Sequence, residues 1–390
     1  MIRSLRLDGF LSFAPGSEPS ELRSLNVLIG PNGSGKSNVI EALELLATTP
    51  TDLEGAVRRG GGIRNWIWKG KPAASEAVIE VLVPSADGPV DGELRHRLSL
   101  GSSGDRLEVV NEEIATAGSD GGREVVHYRS GEGDASFWIL RDGKRVEDYR
   151  VGGHDYATDQ SILSQRRDPH HYPEITWLGR AYSGIRTYTD WTFGSGAPAR
   201  IAQSTALPTD ILLPDASNLA LVLNEIEHAG DHSINDLLKR FFPLFERLSI
   251  RIFGGTTNIY LFETGAKTPI PAIRLSDGTL YFLALLAALY SPSPPSLLCI
   301  DEPELGLHPD AVALLARVLV EASSRMQLVV TTHSESLVSA LSGQPDAVVA
   351  CERPGTSTEL CRLDPERLAS WLEDHRLGEL WTMDVLGANP

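Results

Sequence analysis

The chain has 390 residues, with 35 Lys and Arg set against 52 Asp and Glu, for a net charge of −17. That length supports a core larger than one average domain needs, and the acidic balance excludes nonspecific nucleic-acid binding through the whole surface, though not through a local basic groove. Three cysteines without a CxxC pair exclude a disulfide framework, and no apolar run reaches the length of a bilayer span.

The first eleven residues alternate as a strand does and lack the apolar core of a signal peptide, so the cytoplasm is the expected compartment and no membrane partner is expected. The apolar stretch 25–29 leads into Gly30, Pro31, Asn32, Gly33, Ser34, Gly35, Lys36 and Ser37, which satisfy GxxxxGK[ST]. Glycines at this spacing let successive backbone N–H groups curl around a β-phosphate. Lys36 reaches the β- and γ-phosphates, and the Ser37 hydroxyl can ligate Mg²⁺ at a helix N-terminus. Residues 38–46, with Val39, Ile40, Ala42, Leu43, Leu45 and Leu46, read as that helix.

Arg58, Arg59, Arg64, Lys69 and Lys71 form one basic stretch, interleaved by Trp66 and Trp68, and Arg166, Arg167, His170 and His171 form another. Each reads either as a nucleic-acid patch or as a solvated loop, and the two tryptophans as stacking platforms or as core. Segments 76–83, 93–100, 106–110, 125–129 and 137–141 read as an antiparallel meander, with turns at Asp87-Gly88, Asp91-Gly92 and Asp142-Gly143. No sustained heptad pattern of coiled-coil arms occurs. Residues 198–208 read as loop, 218–228 and 233–245 as helices, and 248–253 with 257–263 as a strand pair.

Downstream, Leu275, Ser276, Asp277 and Gly278 open an apolar helix over 281–289, a second anion-binding helix start. One protein rarely needs two for one nucleotide, unless the second serves a neighbouring copy. The apolar strand 295–300 delivers Asp301 and Glu302 at its C-terminal end, where a P-loop fold uses the first carboxylate for Mg²⁺ and the second to polarise the attacking water. Residues 311–323 read as a helix, and 327–330 as a strand that ends in Thr331, Thr332 and His333. A histidine there points toward the ligand crevice of a parallel sheet. A helical tail over 364–380 is expected to pack back through Trp371 and Trp381.

The ordered set GPNGSGKS, LSDGTL, LLCIDEPE, ELGLHP and TTHS resembles the ABC-type ATPase heads of the RecF, SMC and OLD group, over the first roughly fifty residues and again over 207–341. The resemblance implies an α/β P-loop NTPase fold, a mixed central sheet flanked by helices with an antiparallel β-lobe. It makes 1–390 a single head: 1–50 carries Walker A, 51–200 the β-lobe and Q-loop region, 201–345 the signature, Walker B, D-loop and H-loop, and 346–390 the tail. It assigns Gly30 to Ser37 and Asn38 to the nucleotide, Ser276 and Gly278 to the signature, Asp301 to Walker B and Glu302 to the catalytic base. Residues 304–310 become the D-loop and His333 the switch histidine. Gln160 and Gln165 are the candidates for the Q-loop metal ligand, Gln165 being preferred because a polar loop follows it. The adenine falls near residues 11–13, where Phe10 and Phe13 read equally well as core. Too little chain follows His333 for the TOPRIM nuclease domain that OLD proteins append.

By that resemblance the chain binds ATP with Mg²⁺, pairs head to head with a second copy so that Ser276 acts in trans, and hydrolyses ATP as a switch in DNA maintenance or anti-phage defence that controls a separately encoded effector. DNA repair by direct binding of duplex DNA and a non-catalytic ATP-dependent scaffold are the alternatives, and the presence of Glu302 disfavours the second. A transporter subunit is disfavoured by the LSDGTL signature.

Overall fold

The computed structural model describes residues 1–117, 124–131, 134–141, 144–152, 156–189, 191–229 and 233–388. In chain order the elements are β1 (Ser4–Asp8), β2 (Ser20–Glu21), β3 (Leu25–Ile29), α1 (Lys36–Thr48), α2 (Leu53–Arg59), α3 (Ile63–Trp66), β4 (Ala77–Pro84), β5 (Glu93–Ser103), β6 (Arg106–Ala117), β7 (Val125–Gly131), β8 (Asp134–Arg141), β9 (Lys144–Gly152), α4 (Ile162–Gln165), α5 (Pro173–Ser183) and β10 (Ile185–Tyr188). They continue with β11 (Gln203–Ser204), α6 (Leu219–His228), α7 (Ser233–Phe241), β12 (Phe245–Phe253), β13 (Thr256–Glu263), β14 (Ile270–Pro271), α8 (Asp277–Leu289), β15 (Leu297–Ile300), α9 (Pro309–Ala322), β16 (Gln327–Thr331), α10 (Glu335–Ala340), β17 (Val348–Glu352), β18 (Glu359–Arg362), α11 (Pro365–Leu372) and α12 (Leu377–Thr382). The chain divides into two compact units, 1–186 with 346–363 and 384–390, and 187–345 with 364–383.

In the first unit an antiparallel sheet runs β2-β1-β4-β5-β6-β7-β8-β9. The meander is therefore longer than the sequence reading at both ends. β1 pairs with β4 in the register Ser4↔Leu82 to Asp8↔Val78, and β9 follows β8. The Asp142-Gly143 turn lies outside the described residues. The P-loop strand β3 pairs in parallel with β17, which pairs antiparallel with β18. The first part of the 346–390 tail, ahead of the segment 364–380 read as helical, thus supplies two strands beside the P-loop. Every residue of β3 is buried, and α1 buries Val39, Ile40, Ala42, Leu43, Leu45 and Leu46. This is the apolar face of a helix lying on a sheet.

In the second unit β15 and β16 pair in parallel, Leu297↔Gln327 to Ile300↔Val330, and both are buried throughout. Such continuous apolar strands belong to sheets covered on both faces. α8 is buried on nearly every side, with Phe282 stacked on Phe241 at 4.3 Å between ring centroids. A smaller antiparallel sheet runs β11-β13-β12, with β14 on β13, so the 198–208 segment read as loop contains a short strand. The helical tail breaks between α11 and α12. Trp381 is fully buried, but Trp371 is 46% exposed and does not pack back as expected.

Candidate functional site

β3 delivers the chain to a loop whose glycines are required by contact and by conformation. Gly30 has φ 147, and a Cβ there would sit 2.4 Å from the Cys351 carbonyl oxygen. Gly35 caps α1 in the left-handed region with φ 104, and a Cβ would lie 2.4 Å from Thr358 Oγ1 and 2.6 Å from Ser12 Oγ. α1 then starts without a side-chain cap or an acidic residue in its first turn. Its leading N–H groups and the positive end of its dipole are left for an anion. Two features fit a phosphate group: space is open around Gly33, and the buried Ser34 Oγ has no hydrogen-bond partner.

The Lys36 side chain, 5% exposed, folds back so that Nζ donates to the carbonyls of Gly30 (2.7 Å) and Pro31 (3.0 Å). A brace that the sequence did not reveal stands behind the loop. Thr358 Oγ1 donates to the Ser34 carbonyl and accepts from the Ser12 hydroxyl, both at 2.7 Å, and Asn38 Nδ2 donates to Ser12 Oγ at 2.6 Å. Ser37 is exposed at the head of the helix. Phe10 and Phe13 are buried, so of the two readings for the segment near residue 11 they take that of core. Gln165 directs its amide into its own loop, donating to the carbonyls of Ala157 (3.0 Å) and Gln160 (2.9 Å), while Gln160 Oε1 accepts from the Leu53 N–H at 2.9 Å.

In the second unit the signature and the acidic strand end share one cleft of about 390 Å³, lined by Asp277, Gly278, Tyr281, Asp301, Leu305 and Gly306 together with Thr189, Trp191, Thr192 and Phe193. Ser276 caps α8 by accepting from the Thr279 N–H at 3.1 Å. The buried Arg200 holds that turn through Asp277 and the Leu275 carbonyl. Gly278 is required because a Cβ would meet the Gly306 carbonyl of the D-loop at 2.8 Å. Thr331 Oγ1 organises the carboxylate pair: it donates to Asp301 Oδ1 and accepts from the Glu302 N–H at 3.0 Å.

Glu302 sits at φ 46, a conformation that costs a non-glycine residue about 1–3 kcal/mol and recurs at functional sites. Its carboxylate lies 3.4 Å from His333 Nε2. Next to it, Glu304 Oε1 accepts from Thr332 Oγ1 (2.6 Å) and the His333 N–H (2.9 Å), while its buried Oε2 has no partner. Burial pushes the Glu304 carboxyl above the usual carboxylate range, against the pull of those two bonds. A raised carboxyl pKa favours the protonated folded state. The stability it contributes is full below the unfolded-state pKa and is lost as pH rises through the folded one. The urea midpoint of wild type minus that of Glu304→Gln is therefore expected to fall as pH rises through and above the ordinary carboxylate range. A difference that grows with pH would overturn this.

The sequence-level basic patches are largely engaged locally. Arg58 faces Glu54 at 3.5 Å, Arg64 faces Asp105 at 2.9 Å, and Arg167 donates to the Pro50 carbonyl at 2.6 Å. Trp66 and Trp68 are buried and donate to the Val57 and Pro72 carbonyls, so they are core and offer no stacking surface. His171 pairs with Asp168. No helix among the described residues is long and apolar enough to cross a membrane.

Residues 25–339 match the AAA_21 family, described as an AAA domain and candidate AbiEii toxin of a Type IV TA system. The Old nuclease of Escherichia phage P2 is 24% identical over 349 residues, covering 82% of this chain and 54% of that protein. The chromosome partition protein Smc of Cereibacter sphaeroides is 35% identical over 88 residues, covering 21% of this chain and 7% of that one. The chain thus spans about half of the phage protein and a small part of Smc. Two solved Smc heads share the fold at TM-score 0.57. One is bound to the C-winged helix domain of ScpA (16% identity, 94% of this chain, 99% of that chain). The other, from Pyrococcus furiosus, has an extended coiled coil and is bound to the C-terminal domain of ScpA (17% identity, 96% and 98%). The fold is that of an ABC-type P-loop head.

Proposed function

The chain belongs to the AAA_21 family of AAA domains, and from that membership we propose that its 390 residues form one ATPase head of the SMC, OLD and RecF kind, which pairs with a second copy on ATP and separates after hydrolysis. The observation that carries this reading is the uncapped start of α1 behind Gly33 and Gly35, with the orphaned Ser34 hydroxyl beside it. ATP is the substrate. Lys36 would exchange its two loop carbonyls for phosphate oxygens, an exchange of neutral acceptors for charged ones that strengthens its bonds.

Mg²⁺, held by Ser37 and Asp301 with Gln165 as a further ligand, would neutralise phosphate charge; such sites use few protein oxygens, the rest coming from phosphates and water. Gln165 would have to release its loop carbonyls to take that role. Glu302 is the general base for the attacking water, and Thr331 fixes its backbone. His333 orients the Glu302 carboxylate. Ser276 and Gly278 meet the γ-phosphate held by the other copy. Hydrolysis of this kind rests on positioning and on charge stabilisation more than on covalent chemistry.

The switch acts in DNA maintenance or defence through a separately encoded effector in the cytoplasm, a reading supported by the phage Old nuclease and by the ScpA-bound Smc heads. Direct engagement of DNA is the alternative kept open by the same relatives. The test is sedimentation and turnover of the wild-type chain. With Mg²⁺ it should convert ATP to ADP, sediment as a dimer with a non-hydrolysable ATP analogue and as a monomer with ADP. A sedimentation profile indifferent to nucleotide would overturn the switch. A rate raised several-fold by duplex DNA would place the signal on DNA instead of a partner protein.

A further inference from the structure

The small sheet of the second unit carries a face that the ATPase reading does not use. β12 ends this sheet, with β13 on one side and no further strand paired to it among the described residues. The register Arg247↔Phe262, Ser249↔Tyr260, Arg251↔Asn258 and Phe253↔Thr256 puts these residues on one face, opposite the face of Leu248, Ile259 and Leu261, which are buried. On it, the Arg247 guanidinium lies 3.6 Å over the Phe262 ring and that of Arg251 4.7 Å over Tyr260. At the hairpin tip Phe253 is 87% exposed and Ile252 57%. The neighbouring acid Glu246 sits in the bulge between Phe245 and Arg247, which takes it out of the pairing ladder.

We propose that β12 and this face dock an extended, acidic segment of a different protein, which adds a strand to the β12 edge and places carboxylates against Arg247 and Arg251. An edge strand supplies backbone affinity, and alternate side chains supply specificity. Guanidinium groups held over aromatic rings still carry N–H donors that can pair with carboxylates. A second copy of this chain fits poorly. Antiparallel pairing of two β12 strands about Ser249 would set each Arg247 against an Arg251, a like-charge cross-strand contact. Nucleic acid fits less well than protein. The arginines already cover the faces of Phe262 and Tyr260 on which bases would stack, and Phe253 calls for an apolar socket.

The surface is independent of the nucleotide reading, so it is tested separately from it. The probe is a fluorescein-labelled peptide of alternating Val and Glu, matching the nine residues of β12, with a Val and Lys peptide and oligothymidylate as controls, read by anisotropy at low and high salt. The Val and Glu peptide should bind, bind more weakly in high salt, and lose at least about tenfold in affinity in Arg247→Ala/Arg251→Ala. Arg247→Lys/Arg251→Lys, which keeps charge but not the planar fork, should recover part of that loss. Lys36→Ala should bind like wild type, which separates failure here from failure of the ATPase reading. Equal binding of the Val and Lys peptide, or affinity unchanged in the double alanine variant with its thermal midpoint intact, would overturn the proposal. Oligothymidylate binding that the double alanine variant abolishes would assign the face to nucleic acid and overturn it as well.

Discussion

Glu302→Gln is expected to lower steady-state ATP turnover by about 10²–10⁴-fold, the usual contribution of a positioned general base, while leaving nucleotide binding in place. The substitution changes little else. The Glu302 N–H bond to Thr331 Oγ1 and the Tyr281 bond to the Glu302 carbonyl belong to the backbone and survive it. The side chain is 31% exposed, so no deeply buried charge is removed. A glutamine amide also keeps an oxygen that can face His333 Nε2. The variant should therefore match wild type in thermal midpoint and in ATP affinity by equilibrium binding. By the proposed cycle it should also accumulate as the ATP-bound dimer, because separation follows hydrolysis. Turnover within tenfold of wild type would remove Glu302 from the base role and turn attention to Glu304 or His333. Loss of ATP binding together with turnover would mean that Glu302 serves to build the site, not to activate water.

The fold class and the motif positions were legible because each depends on contiguous residues whose chemistry is local. The P-loop needs glycines where φ is positive or where another backbone approaches, and Gly30 and Gly35 are such places. β15 and β16 advertised themselves as largely apolar runs, the first leading into Asp301 and Glu302 and the second into Thr332 and His333. What stayed hidden depends on contacts between distant positions. Thr358 braces Ser12 across 346 residues, and no local pattern marks either. β17 and β18 lie in a region whose later residues favour helix, so the short run Val348–Glu352 did not read as the partner of β3. Trp371 and Trp381 look equivalent in sequence, yet only the second meets a core. The arginine stacks of β12 exist only once the hairpin register is known, because Arg247 and Phe262 become neighbours by pairing and not by spacing.

A mixture of two inactive variants offers the sharper test of action in trans. Lys36→Ala removes the ammonium that now closes on the Gly30 and Pro31 carbonyls, and should abolish ATP turnover through lost phosphate binding. Ser276→Arg leaves the P-loop untouched but fills the signature turn with a long cation, and should abolish turnover without lowering ATP affinity in the monomer. The cap that Ser276 provides to the Thr279 N–H is lost, at about 1 kcal/mol, so the fold of this variant is checked first by its thermal midpoint. In a face-to-face dimer each composite site takes its P-loop from one copy and its signature from the other. A mixed dimer then has one site with both defects and one with neither. With random pairing in an isologous dimer, an equimolar mixture should recover roughly a quarter of wild-type turnover if the sites fire independently. Recovery well below that but above zero would mean that both sites must act together. A mixture no more active than its components would mean that Ser276 serves the nucleotide of its own chain or that the heads do not pair, and nucleotide-dependent sedimentation of the wild type distinguishes these two.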